Sequence, residues 1–147
     1  MTIKQLTIFL ENRTGRINEV ARILGANGIN MKAFSMAETA DFGLLRRSVA
    51  EVEKAVQVLR DASFAVMLTD VVCLNVPNVP GALSEILESL ACNDIFIEYM
   101  YAFSEGDSAN VVIRPNDIEK CLGVLKDCTC TLLQTVCRLP RFNAPAA

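Results

Sequence analysis

The sequence predicts an α+β fold made of two copies of one β-α-β-β-α-β unit, each an antiparallel sheet with both helices on one face. Three observations carry this expectation. The chain matches itself at a shift of 66 residues: Asn12 meets Asn78, Gly15 meets Gly81, Glu19 meets Glu85, Leu24 meets Leu90, Asn27 meets Asn93 and Ile29 meets Ile95. The register holds without a gap, and EKAVQVLRD at 53–61 falls on EKCLGVLKD at 119–127. Within each copy the apolar residues change period, from two to about 3.6 and back, as strands and helices require. Turn-forming residues stand where the period changes. The repeats cover about 3–69 and 69–135, which gives expected domains at 1–69 and 70–137 and a Pro- and Ala-rich tail at 138–147.

Taken in order, Leu6, Ile8 and Leu10 alternate onto one face, as in a half-buried strand, and Leu74 and Val76 repeat them. Ile17, Val20, Ala21 and Leu24 then fall at i, i+3, i+4 and i+7, a one-sided helical stripe repeated by Leu83, Ile86, Leu87 and Leu90. Gly28 stands where a helix wants a left-handed residue, and Asn93-Asp94 can serve the same need. Second strands are expected to open at Ile29 and Ile95. ADFG at 40–43 and EGDS at 105–108 are turn-rich breaks before GLLRRSV and NVVIRP, so each pair of runs reads as a hairpin. Ser48 with Glu51, and Asn116 with Glu119, have the spacing of a capping box. Val52, Val56 and Leu59, matched by Ile118, Leu122 and Leu125, supply the second helical stripe. FAVML at 64–68 and TCTLLQTV at 129–136 are the final strands, which completes the split βαβ, or ferredoxin-like, order. Asp70 alone separates the first copy's last strand from VVCLNV, so the units are expected to pair side by side in a joint eight-stranded sheet.

Composition narrows the function classes. With 147 residues and 52% hydrophobic content there is ample material for a core. The apolar run VVCLNV at 71–76 is too short to cross a bilayer, and MTIKQLTIFLENR lacks a signal-peptide pattern, so the expectation is a cytoplasmic protein with no membrane partner. Net charge is −3 and basic residues such as Arg46-Arg47 come in pairs, which argues against nucleic acid. RNA-binding modules share the strand-helix order, but they stack bases on central-strand aromatics, and GLLRRSV and NVVIRP have none. With no histidine, the commonest catalytic base and metal ligand is missing. The six cysteines do not have zinc-site spacing: Cys128-Thr-Cys130 has one intervening residue. Cys73, Cys92, Cys121, Cys128, Cys130 and Cys137 fall on Thr7, Ala26, Ala55, Ala62, Phe64 and Val71 of the first copy, so they read as reduced, small packing residues. Met31, Met36, Met67 and Met100 read as core fillers, and DFG at 41–43 as a turn. No metal, cofactor or catalytic residue is expected.

A strand ending in E-N-R-x-G, a helix, then G-I-N opening the next strand, followed by the EKA-VLRD helix, resembles the ACT-domain family of amino-acid-binding regulatory modules. ENRTGRINEVARIL at 11–24 and NGIN at 27–30 carry the likeness, with Thr14 where proline is usual. The second copy keeps Pro80 and Gly81 but has PNV for ENR and Phe96 for Asn30. The resemblance implies a free amino acid, or a similar small metabolite, held where the βα turn of one domain meets the second strand of its neighbour. It places Leu10, Glu11, Asn12, Arg13, Thr14, Gly15 and Arg16 at one such turn and Asn78, Val79, Pro80 and Gly81 at the other. Asn30 and Met31, or Phe96, would line the opposing strand. In that picture Asn12 and Asn30 are the polar anchors, Arg13 or Arg16 pairs with a ligand acid group, and Met31 with Val79 or Phe96 forms an apolar wall. Phe96 cannot repeat the hydrogen bonds of Asn30, so the two crevices are expected to differ.

The residues also admit bland readings. Asn12 and Asn30 suit turns on backbone grounds, Gly15 and Gly81 are structural first, and Arg13, Arg16, Arg46 and Arg47 can be solvated surface charges. Three functions therefore compete: an amino-acid sensor, a non-binding regulatory or structural subunit that joins a metabolic enzyme, and a small enzyme built on Asp107, Glu98 and Arg114. The last lacks a nucleophile and base pair. Either of the first two is compatible with a homodimer.

Overall fold

In the computed structural model, residues 2–31, 33–38, 42–48 and 51–127 are described. The elements run β1 (Thr2–Glu11), α1 (Arg16–Ala26), β2 (Ala33–Glu38), β3 (Phe42–Ser48), α2 (Val52–Asp61), β4 (Ala65–Pro77), α3 (Ala82–Cys92), β5 (Ile97–Glu105), β6 (Ser108–Pro115) and α4 (Ile118–Asp127). The chain divides into two compact units, one from Lys4 to Asp70, the other from Val71 onward with the chain start through Ile3. The division falls inside β4.

In the first unit the strand order is β2-β3-β1 followed by the early part of β4. β3 pairs antiparallel with both neighbours, Ile8 opposite Leu45 and Leu45 opposite Met36. Alternation in β1 sends Leu6, Ile8 and Leu10 to one face, where they bury against Val20 and Leu24 of α1 and Ala55 and Leu59 of α2. Both helices therefore lie on one face, the face on which β1 presents this apolar row to their stripes. On the other face Gln5 and Thr7 are buried, and the Gln5 amide donates to the Thr7 hydroxyl at 3.3 Å.

The second unit repeats this plan with β4-β6-β5. Val72, Leu74 and Val76 of β4 and Val111 and Ile113 of β6 pack with Ile86 and Leu90 of α3 and Cys121 and Leu125 of α4. Val71, Cys73 and Val112 form a smaller cluster on the reverse face with Ile3, Tyr101 and Phe103. The strand expected at 129–136 and the tail at 138–147 lie outside the described residues, as do Cys128, Cys130 and Cys137, and Ala40 and Asp41 of the expected ADFG turn, whose Phe42 and Gly43 already belong to β3. The architecture is that of a tandem α+β, ferredoxin-like pair with helices on one face of antiparallel sheets.

Three helices end in the same way. The N–H of Ile29 donates to the carbonyl of Leu24 (2.9 Å), that of Phe64 to Leu59 (2.9 Å) and that of Ile95 to Leu90 (3.0 Å). The residue before each is left-handed: Gly28 at φ 70°, Ser63 at φ 65° and Asp94 at φ 55°. These are Schellman closures, and in each the two residues joined by the outer bond are buried apolar side chains. Gly28 and Asp94 match expectation, while Ser63 is a serine where no sequence signal stood.

The closures also correct the strand starts. Because Ile29 and Ile95 give their N–H groups to the helices behind them, β2 opens at Ala33 and β5 at Ile97. The capping boxes differ from expectation as well. Ser48 is still in β3, opposite Gln5 and Ala33, and α2 starts after Glu51 with no side-chain cap. At α4 the cap is Asp117, whose carboxylate accepts from the Lys120 N–H at 2.9 Å. Asn116 instead brackets Phe96, accepting from its N–H through the side chain (3.1 Å) and donating its own N–H to the Phe96 carbonyl (2.9 Å).

Two of the expected core methionines are exposed. Met36 stands on the outer strand β2 beside exposed Phe34, where the helices leave the face uncovered, and Met67 follows core-packed Val66 onto the opposite face. Met31 and Met100 do pack against the two cores.

Candidate functional site

Each unit has one entrance turn between its first strand and first helix, and the two turns share one backbone. The Arg13 N–H donates to the Glu11 carbonyl (2.7 Å) and the Arg16 N–H to the Arg13 carbonyl (3.3 Å). In the second unit Val79 donates to Pro77 (2.9 Å) and Ala82 to Val79 (3.4 Å), the same bonds 66 residues on. Gly15 has φ 89° and ψ −8°, Gly81 φ 89° and ψ −23°, the conformation of the third residue of a type II turn. Residues with a Cβ are strained there, which explains why glycine occupies both positions. The residue before it favours proline, present as Pro80 and replaced by Thr14 in the first turn.

The helices that follow have no side-chain cap. The Glu19 N–H goes to the Gly15 carbonyl at 2.9 Å. The first-turn amides of Ile17 and Asn18, and the positive end of the helix dipole, therefore face an uncapped entrance suited to an anionic group. Around it Glu11, Asn12, Arg13, Thr14 and Gly15 are all exposed. Arg13 meets Glu11 at 3.6 Å with both side chains well exposed, a contact of about 0–1 kcal/mol that a ligand carboxylate can outcompete. Leu10 is buried in the core, so it can offer only backbone.

Arg16 is occupied elsewhere. Its Nη1 lies 2.8 Å from a Glu19 carboxylate oxygen and its guanidinium sits 4.3 Å from the centre of the Phe64 ring. The Arg16 Nε is buried without a hydrogen-bond partner. The second turn is apolar: Val79 is 58% exposed, and Leu83 in the first turn of α3 is also exposed. Asn78, Pro80 and Gly81 are exposed, and the Asn78 N–H is tied to the Asp107 carbonyl at 3.0 Å in the β5–β6 loop.

Strand register places the other candidate residues. Asn30 is exposed and Met31 half-buried just ahead of β2, whose first residue, Ala33, pairs with Ser48, itself opposite Gln5 near the start of β1. The entrance turn follows Glu11 at the far end of β1, six residues or about 20 Å away along the strand. Phe96, 68% exposed, likewise precedes β5 beside Pro115, whereas the second turn follows Pro77 opposite Ser108. Within one unit the turn and the second-strand start therefore stand at opposite ends of the sheet.

The remaining polar groups make no catalytic constellation among the described residues. Glu98 pairs with Arg114 at 3.5 Å, and Asp107 sits in a hairpin loop after Gly106. No cluster of three or more metal-ligating side chains occurs among the described residues. Cys73 and Cys121 are buried, and burial raises both thiols above the usual range, which keeps them protonated and poorly nucleophilic near neutral pH. Cys92 departs from the packing role expected of it, being exposed at the end of α3, as its repeat-mate Ala26 is at the end of α1. A shallow cavity of about 430 Å³ lined by Glu51, Val52, Glu53 and Lys54 includes no residue of either turn. No described helix is long and apolar enough to cross a membrane.

Known proteins bear on this geometry. A search of curated proteins returned no match. Among solved structures, protein BT0572 from Bacteroides thetaiotaomicron is similar at 48% identity and a TM-score of 0.83, over 92% of this chain and 90% of that one. The regulatory subunit of aspartate kinase from Thermus thermophilus, in its ligand-free form, shares the fold at 15% identity and a TM-score of 0.63, covering 84% of this chain and 90% of its own. The corresponding subunit from Thermus flavus does so at 14% identity and a TM-score of 0.58, over 82% and 88%. A family model described as an ACT domain pair matches residues 1–134. Together with the doubled strand-helix plan and its two glycine-hinged turns, that match makes the chain a member of the ACT domain pair family.

Proposed function

We propose that this protein is a non-catalytic regulatory module that binds a free amino acid. The ligand is held at the first entrance turn, and 1–69 and 70–137 are the two domains. The observation that carries the reading is the first entrance turn. An uncapped helix start, a glycine that lets backbone approach closely, exposed Asn12 and the loosely held Arg13 together suit the carboxylate and ammonium of an amino acid. Asn30 stands at the opposite end of the same sheet, so Asn12 and Asn30 of one unit do not meet in one site. The regulatory subunits of aspartate kinase that share this fold make a metabolic enzyme a fitting partner.

A thermal-shift screen of the full chain against the twenty amino acids tests this. A ligand at ten times its Kd stabilises by about 1.4 kcal/mol. For a chain of this size that raises Tm by roughly 3–6 °C. No shift with any of them at millimolar concentration would contradict the proposal.

The exposed apolar equipment of the second unit, Val79, Leu83 and Phe96, favours a second reading in which that unit joins an enzyme partner without binding ligand. Co-purification of an enzyme that is indifferent to added amino acids is the outcome that reading predicts.

A further inference from the structure

Arg16 belongs to the entrance turn and to the end of the second helix at once. Its N–H closes the turn onto the Arg13 carbonyl at 3.3 Å, and its side chain crosses to the Phe64 ring at 4.3 Å. Glu19 holds the guanidinium in place at 2.8 Å, and the Glu19 N–H returns to the Gly15 carbonyl. Phe64 is itself fixed, 4% exposed and bonded through its N–H to Leu59, and β4 begins at the next residue. The Arg16 side chain is only 16% exposed, so its stacking on Phe64 is weakly screened. Nε is buried without a hydrogen-bond partner, and the Phe64 ring lies 4.3 Å from the guanidinium carbon.

The repeat supplies a control written into the same chain. Arg16 falls on Ala82 and Phe64 on Cys130, while Glu19 falls on Glu85. Arginine and aromatic ring are thus both absent from the second copy, and Ala82 is simply buried in its core. The second turn keeps the same backbone bonds without the cross-link, so the arginine is not needed to form the turn.

From this we infer that Arg16 is a positioning residue, a strut that couples the first entrance turn to the α2–β4 junction. A change in the turn is passed through the guanidinium to Phe64 and into β4, the strand by which the chain passes from the first unit to the second. The inference rests on the turn being the ligand entrance, as proposed above, for its regulatory meaning. The coupling itself is a property of the ligand-free protein.

Hydrogen–deuterium exchange of the ligand-free full chain tests it, comparing wild type with Arg16→Met, Arg16→Lys and Phe64→Leu. Loss of a partly desolvated cation–π contact corresponds to about a tenfold change in local opening. Arg16→Met and Phe64→Leu are each expected to accelerate exchange about tenfold both at Asn12–Arg16 and at Phe64–Leu68, leaving Leu83–Leu90 unchanged. Arg16→Lys keeps the charge beside Glu19 but loses the planar stack, and is expected to resemble Arg16→Met.

Acceleration confined to the mutated segment, or spread evenly over α1 and α2, overturns the strut, the second pattern marking plain loss of stability. If Phe64→Leu fails to fold, the two Arg16 variants decide alone, through exchange at Phe64–Leu68. Since no ligand is added, a failed amino-acid screen and a failed coupling experiment are distinguishable.

Discussion

The two entrance turns have the same skeleton and different chemistry. Glu11–Arg16 and Pro77–Ala82 make the same backbone hydrogen bonds around a glycine at φ 89°. The first surrounds that skeleton with Glu11, Asn12, Arg13 and a stacked Arg16, the second with Pro77, Asn78, Val79 and a buried Ala82. Backbone geometry and ligand chemistry are therefore separable. Glycine and the helix behind it specify the turn, and what the turn can bind depends on the side chains around it.

Substitutions can break or sharpen this comparison, beginning with the scaffold. Leu24→Ala and Leu90→Ala each empty a fully buried position and remove the apolar half of a Schellman closure. Each is expected to cost about 3 kcal/mol in chemical denaturation. A large inequality would show that the two cores are not equivalent supports. Gly15→Ala and Gly81→Ala meet no atom within 4 Å, so their effect isolates backbone strain, about 1–2 kcal/mol each. Equal losses are expected, and a harmless substitution at one site would mean that its turn can relax.

Thr14→Pro has the smallest effect. It installs in the first turn the residue that the second already carries as Pro80, and is expected to stabilise by about 0.4–1 kcal/mol through the unfolded chain. Destabilisation measured by the same denaturation would show that the Thr14 N–H or φ differs from that of Pro80.

Much of the scaffold was legible because repeated local rules agree. The shift of 66 residues, the Leu6-Ile8-Leu10 alternation and Gly28 are each short-range signals, and all led to the observed elements. What was misread involved competition for the same backbone group. Ile29 looks like a strand opener, but its N–H closes α1, and Asn116 looks like a cap, but its side chain holds Phe96 while Asp117 caps α4. Met36 carries no sequence mark of exposure, since being on an outer strand is a matter of topology.

The candidate site was legible in halves. Asn12 and Gly15 announce the turn, and Asn30 the strand start. Their placement at opposite ends of one sheet follows only from the β1-β3-β2 order. The Arg16–Phe64 contact joins residues 48 positions apart and has no local pattern at all, so the sequence offers Arg16 only to a ligand acid group, in alternation with Arg13, or to solvent.

On the proposed reading the first turn carries the ligand and the second does not carry it equally. Isothermal titration with whichever amino acid most raises Tm, applied to wild type, Asn12→Ala and Asn78→Ala, tests it directly. A lost hydrogen bond to a charged ligand group costs about 1.5–3 kcal/mol, so Asn12→Ala is expected to raise Kd about tenfold or more. Asn78→Ala is expected to stay within about twofold, because its turn offers an apolar rim in place of a polar one. Equal weakening by the two substitutions, or a larger effect at Asn78, would contradict the account.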